Sequence, residues 1–137
     1  MKFIIFVKAT VDSEAGVMPP QSLFAEMAQY HEELQKAGVL VDATGLKPTS
    51  QGFRIRYEGD KRTVVDGPFA ESKELIAGFT IIDVASRAQA VEWARRFPNP
   101  HPGTVNEIEV RPYYELEDFE PGAGIDRFRE LEAARHR

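Results

Sequence analysis

The chain has 137 residues, enough for one domain with its own core. A formal net charge of −5 argues against a general nucleic-acid binder, which needs clustered Lys and Arg for phosphates. The absence of cysteine excludes disulfides, thiolate chemistry and cysteine-based zinc or iron–sulfur centres.

Residues 3–7 form a continuous apolar run of aromatic and β-branched side chains and read as a strand buried on both faces. The run is too short to span a bilayer, and no small-residue cleavage site follows it, so no membrane association and a cytoplasmic location are expected. Residues 8–18, with Asp12, Ser13, Glu14 and Gly16, read as a loop. Pro19-Pro20 opens a helix, since proline is tolerated in a first turn. Leu23, Met27, Tyr30 and Leu34 recur at helical spacing as its core stripe, and Gly38 caps its end.

A second strand runs from Val39 to near Gly45. Residues 53–58 alternate Phe53, Ile55 and Tyr57 with Arg54, Arg56 and Glu58, the period of a half-buried strand. Glu58-Gly59-Asp60-Lys61 makes the turn, and residues 62–65 return as a hairpin. Residues 78–84 read as another strand. Ser86-Arg87-Ala88-Gln89 has the form of a capping box, followed by a helical stripe of Ala90, Trp93, Ala94 and Phe97. Pro98, Pro100 and Pro102 end that helix, and residues 104–111 form the last strand. Tyr113 to Pro121 is acidic and aromatic and reads as an arm toward a partner subunit. Gly122 and Gly124 read as a hinge, and Ile125, Phe128 and Leu131 as the apolar side of a short terminal helix.

The order strand, helix, strand, hairpin, strand, helix, strand predicts an α+β fold, with helices over one face of a mostly antiparallel sheet. The other face still carries apolar side chains, and pairing two such sheets covers it.

Several stretches together resemble the YCII-related family in its "DGPF" branch. They are Met1-Lys2-Phe3, Asp12-Ser13-Glu14-Ala15-Gly16, Glu32-Glu33-Leu34, residues 36–40, Asp66-Gly67-Pro68-Phe69-Ala70-Glu71-Ser72-Lys73-Glu74, Trp93-Ala94 and residues 107–112. The resemblance covers residues 1–120 and leaves 121–137 as a C-terminal tail. It implies a ferredoxin-like domain that pairs into a homodimer, a dimeric α/β barrel, with a cavity between sheet and helices. It also implies a link to sigma factors of the extracytoplasmic-function type, and in one branch of the family a His–Asp acid–base pair. The family histidine maps to His31. The family aspartate, from an Asp-Pro pair, falls on Asn99-Pro100, and asparagine cannot act as a carboxylate base. Asp66 would have to take its place.

His31 lies at the edge of the apolar stripe, where an imidazole can accept a proton near neutral pH. Its plainer reading is a boundary histidine bonded to a carbonyl or water. Asp66, at the Gly-Pro turn, could orient His31 or bind a cationic or hydroxyl group; turn aspartates more often accept backbone N–H bonds. Gly67 is expected to permit a positive φ, and Pro68 to stiffen the exit. Phe24, Tyr30 and Phe69 would line the pocket. Glu71, Lys73 and Glu74 form a charged rim, and Arg54, Arg56, Lys61 and Arg62 place four cations on one hairpin. His31, His101 and His136 are scattered, with no metal-binding spacing, so no metal site is expected. No phosphate loop or nucleophile elbow is present, and no cofactor is implied.

Two functional readings follow. In the first, a cytoplasmic homodimer binds an unknown small molecule, with His31 and Asp66 as an acid–base or orienting pair if it is catalytic. In the second, the domain is a non-catalytic regulatory module with a sigma-factor-related partner. A dimeric scaffold without a ligand is the plainest alternative.

Overall fold

The computed structural model describes residues 1–70 and 74–135. In chain order these form β1 (Lys2–Lys8), α1 (Val11–Glu14), α2 (Gln21–Lys36), β2 (Leu40–Gly45), β3 (Phe53–Glu58), β4 (Lys61–Asp66), β5 (Ile76–Asp83), α3 (Arg87–Arg95), β6 (Ile108–Pro112) and α4 (Ala123–Arg135). Four strands make one sheet in the order β2-β5-β1-β6, and every neighbouring pair is antiparallel. With the β3–β4 hairpin set aside as its own two-stranded sheet, the connectivity is that of a ferredoxin-like α+β domain. No described helix is long and apolar enough to cross a membrane.

The period of two along β1 decides which side chains form the core. Phe3 and Ile5 turn toward the helices and are buried with Ile82 of β5, Tyr30 and Leu34 of α2, and Ala90 of α3. Ile5, Leu34 and Ile82 are the largest side chains with essentially no exposure. Ile4 and Phe6 point the other way, opposite Ile81 and Phe79, and all four are only half-buried. The expectation that β1 is buried on both faces is therefore corrected, because helices cover one face only. Tyr113 follows the outward-facing Arg111. Burial, and then the Asp42 carboxylate on β2, push its hydroxyl pKa up.

Residues 8–18 contain a helical turn where a loop was expected. Thr10 accepts the Ser13 amide at 3.1 Å while Ser13 Oγ accepts the Thr10 amide at 2.8 Å, so two donors at the start of α1 satisfy each other's cap. α2 begins after Pro20 and ends before Gly38, whose φ of +73° suits glycine. At α3, Ser86 accepts the Gln89 amide, but the Gln89 side chain reaches back to Ala85 rather than Ser86. β6 starts at Ile108, later than its alternation suggested. The Asn106 amide is bound by the Asn99 side chain and by the carbonyls of His101 and Thr104, which holds the preceding segment as a loop. Gly124 lies inside α4, so it is not part of a hinge. α4 rests against the Leu116–Asp118 turn, where Arg129 and Glu117 approach to 3.9 Å.

Leu34→Ala would leave a cavity between α2 and the sheet that the surrounding strands cannot close. A loss of about 3 kcal/mol is expected, a large part of a typical domain's stability. Val91→Ala, on the wet side of α3, is expected to cost under about 1 kcal/mol. Urea unfolding of the two variants beside the parent measures the contrast.

Candidate functional site

His31 faces the sheet from α2. Its Nδ1 lies 2.7 Å from the Met27 carbonyl oxygen, four residues back in the same helix, and its Nε2 lies 2.8 Å from Thr80 Oγ1 on β5. A carbonyl can only accept, so Nδ1 carries the proton. In the neutral ring Nε2 is then the acceptor for the Thr80 hydroxyl. Thr80 is 2% exposed and pairs opposite Ile5, on the helix-facing side of the sheet. The result is an imidazole of defined tautomer with its basic nitrogen aimed at a buried hydroxyl.

Aromatic rings surround this pair. Tyr30 meets His31 edge-on at 5.5 Å, and Phe97 lies 5.2 Å from Tyr30 and 6.4 Å from His31. The Tyr30 hydroxyl donates to the Trp93 carbonyl at 2.7 Å. Burial pushes the Tyr30 pKa up to about 12, with Glu33 adding to the rise and Arg96 opposing it. Beyond Phe97 lies a shallow depression of about 270 Å³, lined by Phe97, Pro98, Asn99, Asn106 and Ile108 among others. The Asn99 side-chain oxygen accepts the His101 amide at 3.0 Å and the Asn106 amide at 2.9 Å. Asparagine here closes the α3–β6 loop, a task that needs an acceptor and no charge.

His31 and Tyr30 are in contact, while Phe24 lies on α2, Asp66 at the end of β4 and Phe69 in the turn after it. Tyr30 packs in the core. Phe24, on α2, is 46% exposed. Asp66 ends β4 opposite Phe53 and is exposed. Among the described residues no hydrogen bond or ion pair joins Asp66 to His31. Phe69 lies under the Arg54 guanidinium, 3.7 Å from ring centroid to Cζ. Glu74 is exposed, while the rim residues Glu71 and Lys73, and also His136, fall outside the described residues. No cluster of three potential metal ligands occurs among the described residues.

The turn after β4 is held by a contact that the sequence reading missed. Both Glu14 oxygens bind Thr49: Oε1 takes the Thr49 amide at 3.1 Å and Oε2 the Thr49 hydroxyl at 2.5 Å. Thr49 Oγ1 in turn accepts the Phe69 amide at 3.1 Å. The Gly67 amide donates to the Gly52 carbonyl, and the Gly67–Pro68 peptide is cis. A β-carbon on Gly67 would lie 1.9 Å from the Thr49 carbonyl oxygen. Gly67 is thus required by close backbone approach, and the expected positive φ is absent. Thr80 was also missed. Its signal was present as a lone polar residue at an inward position of an apolar strand. Thr49 has no comparable signal.

Residues 1–114 match the YCII-related domain. An uncharacterized protein of Rhizobium meliloti is 34% identical over 102 residues, covering 74% of this chain and 79% of that protein. Among solved structures, 5-chloro-2-hydroxyhydroquinone dehydrochlorinase from Burkholderia phenoliruptrix, in complex with 2,5-dihydroxybenzoquinone, aligns with 88% of this chain and 100% of its own, at 15% identity and a TM-score of 0.47.

Two outcomes test this geometry. Between pH 10 and pH 12 an unfolded tyrosine has lost its proton while folded Tyr30 keeps it. Stability is therefore full below pH 10 and falls by about 3 kcal/mol as pH rises through 12. Tyr30→Phe is expected to cost about 1 kcal/mol at pH 7, from the lost bond to Trp93, and to abolish that alkaline contribution, as urea unfolding across the pH series will show. Thr49→Val removes the acceptor for the Phe69 amide. Exchange of that amide should quicken about tenfold, with β1–β5 amides unaffected, as read by NMR hydrogen exchange.

Proposed function

The chain belongs to the YCII-related family, and from that premise we propose that it is a cytoplasmic homodimer that binds a small molecule beside His31 and performs proton transfer on it. The observation that carries the proposal is the Thr80–His31 bond at 2.8 Å, with the opposite ring nitrogen held by the Met27 carbonyl. That arrangement fixes the tautomer and leaves Nε2 as the basic atom, which is the geometry expected of a general base. A ligand hydroxyl or acidic C–H that takes the place of the Thr80 hydroxyl would deliver its proton to Nε2. The protonated ring would still donate to Met27 through Nδ1.

In this reading Asp66 acts on the ligand, holding a cationic or hydroxyl group from the base of the hairpin, and is not the hydrogen-bond partner of His31. Tyr30 walls the histidine side of the site, and Phe24 and Phe69 supply further apolar surface. Homodimerisation is supported by the uncovered sheet face. Ile4, Phe6, Phe79 and Ile81 form its half-buried apolar centre, and exposed Glu109 and Arg111 border it.

Native mass spectrometry of the protein purified from its own source, without extraction of bound material, tests the proposal. The expected result is a dimer with one small molecule per subunit. His31→Gln, which keeps an amide able to bond Thr80, and Asp66→Asn should each lower ligand retention at least about tenfold while the dimer persists. An empty dimer, recovered with a sigma factor, would overturn ligand binding in favour of the regulatory reading. A monomer would overturn the dimer.

A further inference from the structure

The nitrogen proposed as the base is shut in. His31 Nε2 lies against the hydroxyl of Thr80, which is 2% exposed. A ligand reaches that atom only when a neighbour moves, and the groups packed on the imidazole differ in how firmly they are held.

The Met27 carbonyl belongs to the α2 backbone and binds the other ring nitrogen. Thr80 sits inside the sheet, with Ile5 of β1 on one side and Ala43 of β2 on the other. Tyr30 is 4% exposed, and its hydroxyl is tied to the Trp93 carbonyl. Phe97 is the exception. Its ring meets His31 edge-on, is half-buried, and has no polar atom to anchor it. It lies beyond the last residue of α3, in a tightened final turn where its amide donates to the Ala94 carbonyl at 3.1 Å. Pro98 follows and has no N–H with which to extend the helix.

Phe97 also has space to move into. It lines the depression of about 270 Å³, and His31 does not. An apolar cavity of about 150 Å³ suffices to hold benzene, so the depression has room for the Phe97 ring. We propose that Phe97 is the gate of the site, and that its ring turns out into the depression to admit the ligand to His31 Nε2. The space it vacates beside the imidazole is then continuous with what remains of the depression. The open form is a minor state of the free protein. Pro98, Ile108 and Asn99 line the passage with Glu107 as its one charge, so it admits neutral ligands in preference to anions. Phe97 controls access and takes no part in the proton transfer. The inference rests on His31 as the base proposed above and adds the route to it.

Histidine acylation tests the gate without any ligand. Diethyl pyrocarbonate acylates an unprotonated imidazole nitrogen, and peptide mass spectrometry reads His31 and His101 separately. An open population of about 0.1–10% slows His31 in the parent by the same fraction. Phe97→Ala should therefore raise the His31 rate at least about tenfold. His101, held on the Lys8 carbonyl, should change less than about twofold. Leu23→Ala removes a buried side chain of the same helix outside the ring cluster, at a comparable cost in stability, and should leave His31 unmoved. Should Phe97→Ala not fold, Phe97→Leu decides, with an expected rise of about threefold. A smaller rise overturns the gate, as does an equal rise in Leu23→Ala. A parent His31 that is never acylated overturns it too, since Phe97 is then a fixed wall. Ligand retention is measured separately: an empty protein overturns the ligand and leaves the gate, whereas an unmoved His31 rate overturns the gate and leaves the ligand.

Discussion

The layer in which Leu34 of α2 meets Ile5 of β1 and Ile82 of β5 sets the position of every other part of the domain. It is a dry contact between a helix period of 3.6 and a strand period of 2. One step along each element brings the polar layer into register. His31 precedes Leu34 by three residues on the helix, and Thr80 precedes Ile82 by two on the strand. A buried hydroxyl or imidazole without a partner costs roughly 1–3 kcal/mol. Here each satisfies the other, and among the described residues no buried side-chain polar atom lacks a partner. The pair is therefore compatible with a stable core while still holding a basic nitrogen in one orientation.

The helices of this fold lie over one sheet face, and the consequences run through the whole molecule. Core residues alternate with half-buried ones along β1 and β5, so the sheet has a finished side and an unfinished side. The hairpin between β2 and β5 is likewise finished only at its base. There Glu14, Thr49 and the backbone at Gly67 and Phe69 lock together, while its outer face stays wet. Both features leave apolar side chains half-buried or exposed.

Much of this architecture is legible in the sequence. The spacing of Leu23, Tyr30 and Leu34 marks α2 and its buried side, and the alternation around Glu58-Gly59-Asp60-Lys61 marks the hairpin and its register. These are signals carried by neighbours along the chain. The relations that escaped the reading join distant residues. Nothing local ties Glu14 to Thr49, or Thr49 to the amide of Phe69, and the late start of β6 depends on where the Asn106 side chain finds its three acceptors. For the candidate site, His31 was recognisable from its place at the stripe edge, and the plainer expectation of a carbonyl-bonded histidine describes its Nδ1. Its other partner was not recognisable, because a threonine inside a strand becomes informative only once the helix lies across it. Asp66 was singled out from its turn, and the turn proves to be organised by Thr49.

The hairpin also has a consequence in chain entropy. β2 and β5 are antiparallel neighbours, and the whole of residues 46–75 is the excursion between them. Each doubling of a closed loop's length costs only about 0.6 kcal/mol. Extending a tight turn to residues 46–75 is about three doublings, so the excursion costs the parent sheet about 2 kcal/mol. What tethers it is the small knot of Glu14, Thr49 and Gly67. Its closure rests on contacts at the root, which place no constraint on the length or the outer face of the hairpin.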